Sequence, residues 1–152
     1  MDISSDYRDL FRTLNKHKVK YLVIGAYAVA FYAEPRYTKD LDIWVSNDIT
    51  NARRLYEALI DFGSPLKDVT AEDFTNKKMI YQIGVAPVRI DILMSASGIK
   101  FENAWKNRKG TNYGGVPINI LVIKELIYTK KKTGREHDIS DMKRLINKKF
   151  RK

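Results

Sequence analysis

Acidic residues set inside apolar strands carry the chemistry in this sequence. Aspartate is depleted in strands, because its side chain competes for backbone hydrogen bonds and resists half-burial. Asp40 and Asp42 nevertheless open the alternating segment Asp40 to Val45, and Asp91 sits between Ile90 and Ile92. The i, i+2 spacing puts Asp40 and Asp42 side by side on one face. If Asp91 lies on a neighbouring strand and faces the same way, three carboxylates converge. Two unit charges about 4 Å apart repel by about 4 kcal/mol at an effective dielectric of about 20. A third carboxylate therefore calls for a counter-cation or for protons. An all-oxygen donor set with no histidine suits Mg²⁺ or Mn²⁺ better than Zn²⁺. The structural alternative is that Asp40 ends the preceding loop as a cap and Asp42 pairs with Arg36, Lys39 or Arg89.

The elements that must hold these groups can be read from apolar spacing and punctuation. Tyr21 to Ile24 is a short buried strand ending at Gly25, and Ala26 to Ala33 is a small apolar helix that stops before Pro35. A strand–glycine–helix turn leaves backbone N–H groups at a helix N-terminus, where they can hold phosphate oxygens. Residues 35–39 are then a loop leading into the strand Asp40 to Val45. Leu41, Ile43 and Val45 take one face of that strand, and Asp40, Asp42 and Trp44 take the other.

Upstream, Tyr7, Leu10, Phe11 and Leu14 recur at helical spacing after Ser4-Ser5, which can cap a first helix. Asn47 or Asp48 caps a helix whose apolar face is Ala52, Leu55, Tyr56, Leu59 and Phe62, with Gly63 as its stop. Residues 79–84 and 87–93 read as a strand pair joined at Gly84–Pro87. An aromatic segment from Phe101 to Arg108 precedes a turn at Asn112-Tyr113-Gly114-Gly115 and the strand Val116 to Leu121. Helices at 123–133 and 137–149, separated by Gly134, finish the chain. The predicted order is α-β-α-β-α-β-β-α-β-α-α. It implies a single α+β domain of residues 1–152: a small mixed sheet flanked by helices, with a helical C-terminal segment.

Composition narrows the chemistry. Hydrophobic residues make up 44% of 152 positions, enough for a core, which excludes disorder and low-complexity fibres. The absence of cysteine excludes disulfide scaffolds, iron–sulfur sites and thiol nucleophiles, and two histidines cannot build a histidine-rich metal centre. No signal peptide or membrane-length apolar run is visible, so a soluble, cytoplasmic protein is expected. The net charge of +10 is uneven. Residues 1–99 hold 13 Lys/Arg and 13 Asp/Glu, whereas residues 100–152 hold 15 against 5. A neutral body with a basic last third suits a polyanionic ligand or an acidic partner, although a solvated lysine-rich surface has the same composition.

Taken in order, these motifs resemble the nucleotidyltransferase superfamily, the polymerase-beta-like fold. The residues that carry the resemblance are Val23-Ile24-Gly25-Ala26, then Arg36-Tyr37-Thr38-Lys39-Asp40-Leu41-Asp42, then Arg89-Ile90-Asp91-Ile92. The sequence looks most like the small bacterial and archaeal branch with an Arg-x-Thr-x-Asp-x-Asp loop, which includes the abortive-infection toxins of toxin–antitoxin pairs. That branch tends to carry a C-terminal Lys and then Gly-Arg-x-Lys-Asp-x-x-Asp. Here Lys130 or Lys131 precedes Gly134-Arg135-Glu136-His137-Asp138-Ile139-Ser140-Asp141.

The resemblance implies that Asp40 and Asp42 bind the metals, Mg²⁺ or Mn²⁺. Asp91 would hold one metal and help activate the acceptor hydroxyl. Gly25 and the Ala26 N–H would cradle the triphosphate of an NTP such as ATP. Arg36, Lys130 or Lys131, and Arg135 would neutralise phosphate charge, and Thr38 would orient the Asp40–Asp42 strand. Two departures stand out: Ala26 replaces the usual second Gly or Ser, and His137 stands where the branch often has Lys.

The expected activity is metal-dependent transfer of NMP from an NTP to RNA, a protein or a small molecule, with pyrophosphate released. The basic C-terminal third favours RNA or an acidic protein as acceptor, and a partner protein that completes the substrate surface is among the candidate partners. A non-catalytic nucleotide- or RNA-binding protein of the antitoxin kind on the same fold is the alternative. A plain nucleic-acid-binding domain is a third. Trp44, Tyr27, Tyr32 and Tyr37 read as packing residues before base-stacking ones, and His17 as a surface residue at a helix end.

Overall fold

A computed structural model of the chain describes residues 3–33, 40–85, 88–96 and 98–133, with Lys143 and Asn147 beyond them. The first helix, α1 (Ser5–Lys16), starts where Ser4 accepts the Tyr7 N–H at 3.3 Å. It buries the expected stripe of Tyr7, Leu10, Phe11 and Leu14. Strand β1 (Tyr21–Ile24) runs into helix α2 (Gly25–Tyr32), and β2 (Asp40–Val45) follows. Asp48 caps α3 (Ile49–Phe62) by accepting the Asn51 N–H at 2.9 Å. Gly63 ends that helix in a left-handed conformation, φ +93°, which glycine adopts without a Cβ penalty.

After a 3₁₀ turn at Ala71–Thr75 come β3 (Ile80–Ile83), β4 (Arg89–Leu93) and α4 (Phe101–Lys106). The remaining elements are β5 (Lys109–Tyr113), β6 (Val116–Ile120) and α5 (Ile123–Thr133). The α+β architecture expected from the sequence is present: one six-stranded mixed sheet in the order β3-β4-β2-β1-β6-β5. β2 pairs antiparallel with β1 and parallel with β4. β6 pairs parallel with β1.

Two features differ from the sequence reading. Lys109–Tyr113 forms an edge strand paired antiparallel with β6 across the Gly114–Gly115 turn, where only a turn was expected. Its sequence, KGTNY, carries no apolar alternation, so its extended form follows from pairing and not from its own pattern. The 3₁₀ turn was also unforeseen; Thr70 and Asp73 cap it reciprocally, and it seats the buried Phe74. The expected helix at 137–149 lies almost wholly outside the described residues, as does the loop at 35–39.

Helix α1 ties the sheet to the glycine turn. The Tyr7 hydroxyl donates to the Arg89 carbonyl at 3.0 Å, and its ring meets Tyr27 of α2 edge-on at 5.3 Å. Trp44 is 2% exposed and packs edge-on against Phe101 at 5.1 Å, so it is a core residue as expected. Tyr32 likewise donates its hydroxyl to the Leu121 carbonyl at 2.8 Å. His17 contacts Asp61 at 2.9 Å on the surface. Among the described residues no helix is long and apolar enough to cross a membrane.

Candidate functional site

The parallel pairing of β2 with β4 decides where the acids meet. Its register sets Asp42 opposite Asp91 and Asp40 opposite Arg89. On the other side of β2, the antiparallel register sets Asp42 opposite Ile24, the last residue before Gly25. Asp42 therefore lies between the third carboxylate and the glycine turn, and all three reach one face of the sheet through strand alternation.

Gly25 makes this approach possible. Its φ is +69°, and a Cβ added there would overlap an oxygen of the Asp42 carboxylate and lie 3.2 Å from its Cβ and Cγ. Glycine is thus required twice, for conformation and for space. Ala26 is outside the positive-φ set, so the missing second glycine takes no needed backbone freedom away. Helix α2 begins at this turn without a side-chain cap on its N-terminal N–H groups.

The electrostatics follow the geometry. Burial, then the charges of Asp91 and Asp40, push the Asp42 carboxyl up from 3.8 to about 6. Lys130 and Arg89 oppose this rise without cancelling it. Lys130 comes from α5 and is 7% exposed. Lys131, about 100° further round the helix, is exposed and is not among the groups acting on Asp42. The structure thus separates two lysines that the sequence left as equivalents.

Arg89 enters as a residue whose main partner the sequence did not reveal. Its Nε and Nη2 donate to the two oxygens of Asp91, each at 3.1 Å. Its Nε also stands 3.7 Å from Asp40 Oδ1. The signal was present in Arg-x-Asp, whose i, i+2 spacing shares a face, but the partner could be chosen only once the register was known. Arg36, Thr38, Arg135 and His137 lie outside the described residues.

The donor set has the chemistry of a hard-cation site: three carboxylates and no sulfur or imidazole. Among the described residues, however, no group of three or more acidic or histidine side chains is arranged to hold a metal ion. Two cavities, of about 410 and 470 Å³, border Ile99 and Lys100 and include none of the three carboxylates.

Comparison with known proteins identifies the family and the fold. The family described as "Nucleotidyl transferase of unknown function (DUF2204)" matches residues 3–151. Among curated proteins none matches by sequence. Several solved structures share the fold. TM1012 of Thermotoga maritima, assigned as a nucleotidyltransferase, is 15% identical, with a TM-score of 0.58 and 96% of each chain covered. The lincosamide antibiotic adenylyltransferase LnuA, solved with lincomycin, is 15% identical, with a TM-score of 0.57 over 96% of this chain and 98% of its own. An antigenic nucleotidyltransferase-like protein from Paracoccidioides brasiliensis is 14% identical, with a TM-score of 0.55 over 96% of this chain and 77% of its own. These matches reach the superfamily and not its abortive-infection branch.

Proposed function

The chain belongs to the nucleotidyl transferase family DUF2204, and we propose from this that it moves a nucleoside monophosphate from an NTP to an acceptor, releasing pyrophosphate. The observation that carries the reading is the register placing Asp42 between Asp91 and the Gly25 turn. It gathers acid, glycine and an uncapped helix N-terminus at one point of the sheet.

In this reading Asp40 and Asp42 hold Mg²⁺ or Mn²⁺ together with Asp91, which also helps activate the acceptor hydroxyl. The bound cation supplies neutralisation of triphosphate charge and polarises the phosphorus under attack. The N–H groups of Gly25 and Ala26 bind triphosphate oxygens at the start of α2. Lys130 adds positive charge beside Asp42; Lys131, Arg36 and Arg135 are assigned to phosphate, and Thr38 to the approach of β2, on the family resemblance. The acceptor divides by chemistry. The basic last third favours RNA or an acidic protein, while the fold shared with LnuA keeps a small molecule in view.

The test is incubation of the purified protein with each α-labelled NTP and Mg²⁺ or Mn²⁺ in cell extract, beside an Asp40→Ala/Asp42→Ala variant. Label on RNA, protein or a small molecule with the wild type alone is the expected result, and it identifies the acceptor class. Metal-dependent NTP binding without transfer would make the chain a nucleotide-binding protein on this fold. Absence of both would make the carboxylates structural.

A further inference from the structure

Arg89 bridges two of the three acids of the site. It lies two residues before Asp91 on the same strand face, and the register sets it beside Asp40. Both oxygens of Asp91 accept from its guanidinium at 3.1 Å, and Asp40 is 3.7 Å away. The Asp91 side chain is 13% exposed, whereas Arg89 is 37% exposed. The acid is therefore fixed in a half-buried strand while the cation approaches from the solvent side.

On the nucleotidyl-transfer reading, we propose that Arg89 is a positioning residue that serves as an internal counter-ion. It holds Asp91 and Asp40 until a divalent cation arrives, and it gives up its two-point grip on Asp91 when the cation takes that carboxylate. Two features support this. The grip engages both Asp91 oxygens, so a cation seated on either oxygen meets the guanidinium at short range and like charges repel. Arg89 is also exposed enough to leave without disturbing the core, since its long side chain can swing into solvent. The pair keeps the site from accumulating the repulsion of three bare carboxylates, and cation affinity is reduced by the work of breaking it.

The experiment is titration of the full-length protein with Mn²⁺ alone, following free Mn²⁺ by electron paramagnetic resonance. Wild type is compared with Arg89→Gln, Arg89→Lys and Asp42→Asn, each checked for folding by thermal melting. Arg89→Gln is expected to bind Mn²⁺ on the order of tenfold more tightly than wild type, as a change of about 1.4 kcal/mol would give. Arg89→Lys keeps the charge but not the planar fork, so its affinity should fall between the two. An Arg89→Gln affinity equal to or below that of wild type overturns the proposal. Tightening in Arg89→Gln with none in Arg89→Lys overturns the positioning role, because the positive charge would then suffice without the two-point grip. Asp42→Asn separates the two levels of the argument. If it abolishes Mn²⁺ binding while the Arg89 variants match wild type, the metal reading stands and the Arg89 proposal fails. If it binds like wild type, or if no protein in the set binds Mn²⁺, both fail.

Discussion

Asp42 and Asp48 sit six residues apart, one inside β2 and one just past its end, and the fold treats them in opposite ways. Asp42 is pushed up to about 6 by burial and by two neighbouring acids. At Asp48 burial also raises the pKa, but hydrogen bonds from Ser46 and the Asn51 N–H, with Lys20 nearby, outweigh it and lower the value. Around Asp48 the polar groups are satisfied. Asn51, 2% exposed, accepts the Lys20 N–H at 2.8 Å and donates to the carbonyls of Lys20 at 3.1 Å and Ser46 at 2.8 Å. That network locks the start of β1 to the end of β2. The two ends of one strand thus hold two carboxylates in contrasting settings. Asp48 is provided with donors by neighbouring residues, and Asp42 is buried and crowded by two other acids.

The contrast can be broken by mutation. The largest effect is expected at Asp42. Asp42→Asn should lower transfer activity by more than the roughly 10–100-fold typical of losing a residue that only supports a metal ligand. The same change should stabilise the ligand-free protein above pH 6. A carboxyl whose folded pKa is raised binds its proton more tightly when folded, so wild-type stability falls as pH rises from about 4 to 6. A rise from 3.8 to about 6 corresponds to about 3 kcal/mol. Urea unfolding at pH 4 and pH 8 should show the gain of Asp42→Asn only at the higher pH.

Next in size is Asn51→Ala, which removes three hydrogen bonds, one of them buried. It should cost about 2–4 kcal/mol in denaturant unfolding, with activity per folded molecule unchanged. Gly25→Ala should cost about 2 kcal/mol from its left-handed backbone alone, and more from overlap with Asp42. Unlike Asn51→Ala, it should also lose NTP binding, measurable with a fluorescent nucleotide. The smallest effect belongs to Asp48→Ala, about 1 kcal/mol for a lost helix cap. Its pH sense is the reverse of that at Asp42: the lowered pKa contributes stability above the ordinary carboxylate range and loses it as pH falls below. The variants at the two positions should therefore diverge in opposite directions between pH 3 and pH 8.

Local signals were legible where the physics is local. Ser4, Asp48 and Gly63 mark helix ends because caps act within one turn, and Gly25 marks the strand–helix turn because no other residue takes that conformation as cheaply. The alternation of Asp40 to Val45 is a property of any strand, and it put the two acids on one face before the fold was known. β5 was not legible, since a polar edge strand owes its conformation to the partner beside it. Nor was the partner of Arg89, which the sequence offered to Asp42 and the fold gives to Asp91, with Asp40 nearby.

By itself the sequence determined the residue types of the site, the glycine turn that precedes them and the basic bias of the last third, because composition and near-neighbour spacing are written along the chain. Tertiary structure alone decided that Asp91 stands opposite Asp42, that Lys130 and not Lys131 is buried beside it, and that Arg89 holds the third acid. Those facts depend on strand order, register and helix rotation. A one-residue slip in pairing would turn every side chain of β4 to the other face, and only the packing of the whole sheet forbids it.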